Sequence, residues 1–243
     1  MTALGFLYPG HSAEDDYPRI EQLLGSDIRL DLVHTGRCED TDRAHPLGRL
    51  GAPEPLAAGV EELRLSGAEA IVWACTSGSF AYGWEGAHEQ IRALAMAAGM
   101  PASSASFGFV HAVQEIGVHR VAIGAAYPDE TAELFADFMR AAGVTVTGVR
   151  SSGTGTAAAA GGWGERELFE LAGQADRTDA EALLLPNTAL HTVAHLPALE
   201  KERGKPVLTA NQVTVWEALR LTDRRVNAPK LGSLFTREPI IQV

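Results

Sequence analysis

Cys75, Thr76, Ser77 and Gly78 follow one another directly after the apolar run Ala70 to Ala74. A thiol can serve as nucleophile or proton carrier. Two adjacent hydroxyls can hold an oxyanion, and the N–H groups of a turn that opens a helix favour negative charge on sulfur. A cysteine at the end of a buried strand also reads more simply, as a small hydrophobe. The choice between the two depends on what faces the turn. A second stretch suggests an answer. Gly67 to Thr76 aligns with Asp179 to Thr188 at an offset of 112 residues, which sets Asn187-Thr188 at the position of Cys75-Thr76. Leu7-Tyr8-Pro9 matches Ala126-Tyr127-Pro128 at an offset of 119, and Gly99-Met100-Pro101 matches Gly204-Lys205-Pro206 at 105. The three matches keep their order and the offsets shrink evenly, as in a duplicated unit whose second copy has shorter loops.

The elements that must position these residues alternate. Strands are expected over residues 4–8, 28–34, 70–74, 102–105, 120–126, 144–149, 182–185 and 207–209. Helices are expected over 17–24, 56–66, 86–98, 107–116, 129–142, 165–175, 191–203 and 213–221. Asp16 falls among acidic residues suited to a helix dipole. Gly99 and Gly117 fit as helix stops. Thr35 to Pro55 reads as a long surface loop that could act as a lid, and Ser151 to Gly164 as a loop of small residues open to close approach. Strand–helix alternation implies an α/β protein with parallel sheets. The repeat divides it into two pseudo-symmetric Rossmann-like lobes, each a parallel sheet of about four strands flanked by helices. Residues 1–117 form the first and 118–243 the second, with 213–243 available to pack back on the first. Strand ends of both lobes then face one interlobe cleft, the expected active site.

Composition narrows the function classes. The 243 residues carry a formal charge of −11, which argues against nucleic acid or an anionic membrane as partner. No apolar run reaches the ~20 residues of a membrane span, and no signal peptide is read at the N-terminus. Cys38 and Cys75 lack a Cys-x-x-Cys pairing, which fits a reducing cytoplasm, and Cys38 in its charged loop reads as incidental. His191 and His195 are four apart, but no third ligand is evident, so no metal site is expected. Thr76-Ser77-Gly78-Ser79 is not a Gly-x-Ser-x-Gly elbow, and no Gly-Lys-Ser/Thr follows the Ser151 loop, so a serine hydrolase and a nucleotide site are set aside. Self-association is left open.

Cys75-Thr-Ser-Gly-Ser-Phe80 with Gly83, Ala125-Ala-Tyr-Pro-Asp129, the loop from Ser151, and Gly204-Lys-Pro206 leading to Asn211 resemble the aspartate/glutamate racemase superfamily. Within it the chain is most similar to the arylmalonate decarboxylase and maleate cis-trans isomerase branch. The resemblance implies a cofactor-free, metal-free enzyme acting at the carbon next to a carboxylate of a small dicarboxylate. In that picture Cys75 is catalytic. Thr76, Ser77, Tyr127, Asn187 and Thr188 bind substrate and form a dioxyanion hole for an enediolate, and Pro9 and Ser12 belong to a turn that meets a second carboxylate. One departure matters. Racemases and maleate isomerases of the superfamily carry Cys at both lobe positions, whereas this chain has Asn187 at the second, and an amide carries no proton. The familiar arylmalonate decarboxylases have a single Cys on the second lobe and Gly on the first, the mirror of the arrangement here. The resemblance therefore implies decarboxylation of a substituted malonate, with a product of opposite hand. The alternatives are cis-trans isomerisation of a maleate-like diacid through a Cys75 adduct, and a non-catalytic carboxylate-binding protein.

Overall fold

A computed structural model describes residues 1–10, 12–35 and 53–236 of the chain. The elements run β1 (Thr2–Pro9), α1 (Asp16–Leu24), β2 (Ile28–Thr35), α2 (Pro53–Leu65), β3 (Ala70–Trp73), α3 (Ser77–Phe80), α4 (Gly83–Ala98), β4 (Ala102–Ser104) and α5 (Ala105–Ile116). They continue with β5 (Arg120–Ala125), α6 (Asp129–Ala141), β6 (Thr145–Ser151), α7 (Ala157–Gly161), α8 (Glu165–Ala175), β7 (Ala182–Leu185), α9 (Leu196–Arg203), β8 (Val207–Thr209) and α10 (Ala210–Leu221). All strand pairings are parallel, in two four-stranded sheets of order β2-β1-β3-β4 and β6-β5-β7-β8. The two orders are the same topology, as the repeated segments require. Leu4 pairs with Ala70 and Leu7 with Trp73 in the first sheet, and Val121 with Ala182 and Ile123 with Leu184 in the second.

Past Thr2 of β1 and the exposed Arg120 of β5, the central strands β1, β3, β5 and β7 are apolar and buried nearly to their ends, because helices cover both faces. One core cluster takes Phe6, Tyr17, Phe80 and Phe107 from the first half and Phe135 and Phe138 from the second. Phe80 meets Phe135 at 5.5 Å and Phe107 meets Phe138 at 5.5 Å between ring centroids, so α3 and α5 pack on α6 through aromatic rings. Two smaller clusters fill the outer faces, around Leu63, Ile71 and Trp73, and around Leu168, Leu171 and Leu183. The helix α10, although it follows β8, packs on α5. At their crossing a Cβ on Gly108 would sit 3.1 Å from the Val213 carbonyl oxygen, so glycine is what allows the approach.

Local differences from the sequence expectations have identifiable causes. The helix α10 begins three residues before the expected Val213, because Thr209 and Gln212 form a capping box; Thr209 N–H donates to Gln212 Oε1 at 3.0 Å. The small-residue loop holds the short helix α7, capped by Thr156 Oγ1, which accepts from Ala159 N–H at 3.1 Å. The helix expected over 191–203 starts only at Leu196, after a 3-10 turn at Val193–His195. His191 therefore pairs with Asp15 at 2.8 Å while His195 lies edge-on to Phe169, and the two do not share a helix face. The helix α4 starts at Gly83, three residues before the expected Gly86, and Gly83 itself takes φ +67 as the chain turns into the helix. Cys38 and most of the 35–55 loop fall outside the described residues. Among the described residues no helix is long and apolar enough to cross a membrane, and no group of three or more His, Cys, Asp or Glu could hold a metal ion.

Candidate active site

In each sheet the chain leaves the central strands in opposite directions, so the crevice between β1 and β3, and that between β5 and β7, is a topological switch point where ligands of open α/β sheets bind. The segments that leave these strands include Pro9 and Ser12 after β1, Cys75 to Ser77 after β3, Ala126 to Pro128 after β5, and Pro186 to Thr188 after β7. They hold every residue that the sequence proposes for the site.

Cys75 is buried, one residue beyond the hydrogen bond from Ala74 N–H to Leu7 O that prolongs β3 along β1. Its Sγ accepts from Gly78 N–H at 3.3 Å and lies 3.7 Å from Ser77 Oγ. The N–H contact favours negative charge on the sulfur. Thr76 is fully buried, and its carbonyl is fixed by Ser106 Oγ at 2.8 Å. Among the described residues its hydroxyl Oγ1 makes no hydrogen bond of normal geometry. A buried hydroxyl left in that state costs ~1–3 kcal/mol, so it marks a place where a ligand oxygen would be welcome.

Tyr127 joins the two halves of the site. Its hydroxyl donates to Pro186 O at 3.1 Å and lies beside Cys75, Ser77 and Thr76. Burial, reinforced by the neighbouring Cys75, pushes the phenol well above its ordinary range despite the Ser77 and Thr76 hydroxyls. It therefore stays protonated and remains a donor. Its own carbonyl is held by Ser151 Oγ at 2.6 Å. Tyr8 makes the reciprocal bridge from the other half. Its hydroxyl donates to Thr188 O at 3.0 Å, sits 2.9 Å from Ser12 Oγ and accepts from Ala13 N–H at 3.1 Å. Burial pushes this phenol up to about 12.

Asn187 is buried and its Oδ1 accepts from Ala126 N–H at 2.8 Å, which fixes the amide and leaves its NH2 as the end available to a ligand. Pro9 ends β1 opposite Thr35 and offers no polar group of its own apart from its carbonyl. Gly161 of α7 comes close enough that a Cβ there would meet Ser12 Cβ at 3.4 Å and Ala189 O at 3.5 Å. The small-residue loop thus closes against both the Ser12 and the Thr188 segments.

Three residues of this region do more than their sequence surroundings indicate. Tyr8 is the counterpart of Tyr127, and the repeat is the signal for it. Asn211 stands out only as part of the resemblance. Asp16 reads as a dipole complement, and nothing local marks it as anything else.

The fold and site define a class, α/β proteins of two parallel four-stranded sheets with a thiol turn at the switch point of the first. The chain belongs to the arylmalonate decarboxylase family, which residues 53–235 match. The arylmalonate decarboxylase of Bordetella bronchiseptica is 30% identical over 146 residues, 59% of this chain and 61% of that one, so the aligned stretch spans under two thirds of the relative. Among solved structures, a liganded arylmalonate decarboxylase mutant, with one glycine changed to cysteine and one cysteine to serine, matches with TM-score 0.83 and 25% identity over 97% of this chain and 99% of that one. A mutant maleate isomerase of Pseudomonas putida S16 crystallised with maleate matches with TM-score 0.87 and 18% identity over 97% of each chain, a likeness of fold.

Proposed function

We propose that the protein is a cofactor-independent decarboxylase of a small substituted malonate, with Cys75 as proton donor. The observation that carries the reading is the buried, unsatisfied Thr76 hydroxyl between the Cys75 thiol and the protonated Tyr127 phenol. A carboxylate seated there would give the Thr76 hydroxyl a full acceptor and could draw the Tyr127 hydroxyl from its 3.1 Å bond to Pro186 O. Loss of CO2 breaks the bond from the α-carbon to one carboxyl carbon, and the electron pair passes into the retained carboxylate as an enediolate. Thr76, Ser77 and Tyr127 from one side, and the Asn187 NH2 and Thr188 from the other, hold its two oxygens. Such donors contribute ~2.7–4 kcal/mol each when preorganised out of water. Cys75 Sγ–H then delivers its proton to the α-carbon. The Gly78 N–H stabilises the thiolate left behind, and water reprotonates it. Ser12 and Pro9 flank the departing carboxylate. Asn187 cannot carry a proton, so a single face of the enediolate is served.

The family membership supports this reading, and so does the liganded mutant, in which a cysteine was introduced at a glycine and another cysteine removed. A small dicarboxylate, rather than nucleic acid, suits a chain of charge −11 whose site offers local donors. The test is incubation of the protein with phenyl- and alkylmalonates while CO2 is followed, alongside Cys75→Ala. Turnover that vanishes in the variant is expected, with a chiral product from a disubstituted malonate of opposite hand to that of the second-lobe-thiol decarboxylases. No turnover by the wild type, or full turnover by Cys75→Ala, removes the proposal. A stable thioether to Cys75 with a maleate-like diacid would instead point to isomerisation.

A further inference from the structure

Asp16 opens α1 and is 3% exposed, yet among the described residues no cation pairs with it. Its Oδ2 accepts from Thr192 N–H at 3.1 Å and from Asn211 Nδ2 at 3.0 Å, and its Oδ1 from Val193 N–H at 3.3 Å. Burying a carboxylate on neutral donors alone is costly. The donors belong to the segment after β7 and to the start of α10, while Asp16 belongs to the segment after β1. The carboxylate therefore ties together pieces of chain 176 and 195 residues apart.

The tie leads into the site. The Asn211 amide held by Asp16 also donates to Thr188 O at 3.2 Å and approaches Ala13 O at 3.4 Å. The Tyr8 hydroxyl reaches the same Thr188 carbonyl and is itself held by Ala13 N–H. A closed ring of hydrogen bonds results, from Asn211 through Thr188, Tyr8 and Ala13 back to Asn211, and Asp16 holds it at the Asn211 amide. Asn211 Oδ1 is buried with no partner among the described residues. Turning the amide over would set that oxygen against the Asp16, Thr188 and Ala13 oxygens, so the carboxylate fixes which way Asn211 donates. We infer that Asp16 is a positioning residue: through Asn211 and the Thr192–Val193 backbone it holds the Asn187–Thr188 turn in register with Tyr8 and Ala13 of the first half. This rests on the proposed role of the 187–188 turn in holding the substrate carboxylate.

Asp16→Asn sets an NH2 against at least one of these donors while keeping the side chain's shape. Asn211→Leu removes the link and leaves Asp16 in place. Both are assayed as the full chain, at a temperature where circular dichroism finds them folded. The readouts are kcat, KM and enantiomeric excess on a prochiral disubstituted malonate, the alkylation rate of Cys75, and hydrogen exchange of the peptide covering 188–193. The expected result is a kcat at least tenfold lower, a reduced enantiomeric excess, at least tenfold faster exchange at Thr192 and Val193 in Asp16→Asn, and Cys75 alkylation within twofold of wild type. Enantiomeric excess separates positioning from a loss of folded protein, which would lower activity without changing the product's hand. Wild-type kcat and enantiomeric excess in both variants, or unchanged exchange in Asp16→Asn, overturns the inference. Should the wild type turn over no malonate, the proposed function is what fails. The exchange measurement then decides alone whether Asp16 holds the turn.

Discussion

Replacing Thr76 by valine separates the binding and structural consequences of a single hydroxyl. The side chain is fully buried and Oγ1 makes no hydrogen bond of normal geometry among the described residues, whereas the Thr76 carbonyl is secured by Ser106 Oγ at 2.8 Å and by the amides of Ser79 and Phe80 at 3.1 Å. Valine keeps the β-branched shape and leaves those backbone bonds in place. It removes a desolvated hydroxyl that costs ~1–3 kcal/mol in the resting protein. The Tyr127 phenol lies alongside and recovers part of that cost, so the lower end of the range, a gain of ~1 kcal/mol, is the expected change. For a chain of this size that raises Tm by ~2–4 °C. The same hydroxyl is one of the proposed oxyanion donors, so kcat should fall ~10²–10³-fold. Calorimetry and CO2 release measure the two effects on one preparation. A lower Tm would mean that the hydroxyl is satisfied in the native protein. A kcat within about threefold of wild type would mean that it does not hold the enediolate. Either result refutes the reasoning.

Two further outcomes follow from packing and charge. Glu217 of α10 is fully buried and accepts from Ser103 Oγ at 2.6 Å, His111 Nδ1 at 3.0 Å and Arg220 Nε and Nη2 at 2.7 and 2.9 Å. Burial raises its carboxyl, but the bonds from Arg220, His111 and Ser103 outweigh this and hold it below its ordinary range. The stability it contributes is thus present above the unfolded carboxyl's pKa of ~4.3 and is lost as pH falls through the lower folded value. Glu217→Gln should cost ~3 kcal/mol at neutral pH, with the difference in Tm from wild type narrowing in a pH series carried below ~4; a constant difference would contradict the sign. Gly108→Ala sets a Cβ 3.1 Å from Val213 O and 3.3 Å from Glu217 Cβ. Separating α5 from α10 should cost ~1–3 kcal/mol, read as a lower denaturation midpoint, and an unchanged midpoint would show that the helices have slack.

The duplication makes most of the architecture legible. The match of Leu7-Tyr8-Pro9 to Ala126-Tyr127-Pro128 puts two tyrosines at equivalent strand ends, and they occupy those places. The strand–helix alternation implies parallel sheets because buried central strands need apolar side chains on both faces, a pattern visible without contacts. Element ends are harder to read where side chains decide them. The helix expected from Val213 starts at Ala210, because Gln212 reaches back to the Thr209 N–H and Asn211 lies in the first turn. Pro197 and the 3-10 turn before it move the start of α9, which separates His191 from His195.

Residue order alone is enough to show that one thiol, Cys75, leads a turn after a buried strand, and that its counterpart in the second half is Asn187. Both facts are local, a matter of residue type and register. What these groups touch is set by folding. Asp16 and Glu217 are two acidic residues with ordinary sequence surroundings, and each proves to be a buried carboxylate that gathers donors from distant parts of the chain, Ser103 and His111 in the case of Glu217. Thr76 and Ser77 are adjacent hydroxyls, and only the fold leaves Thr76 buried and unsatisfied beside Tyr127. A hydrogen bond spanning 195 residues leaves no periodic trace in a single sequence. Its cost and its use both arise from burial, which exists only once the chain has folded.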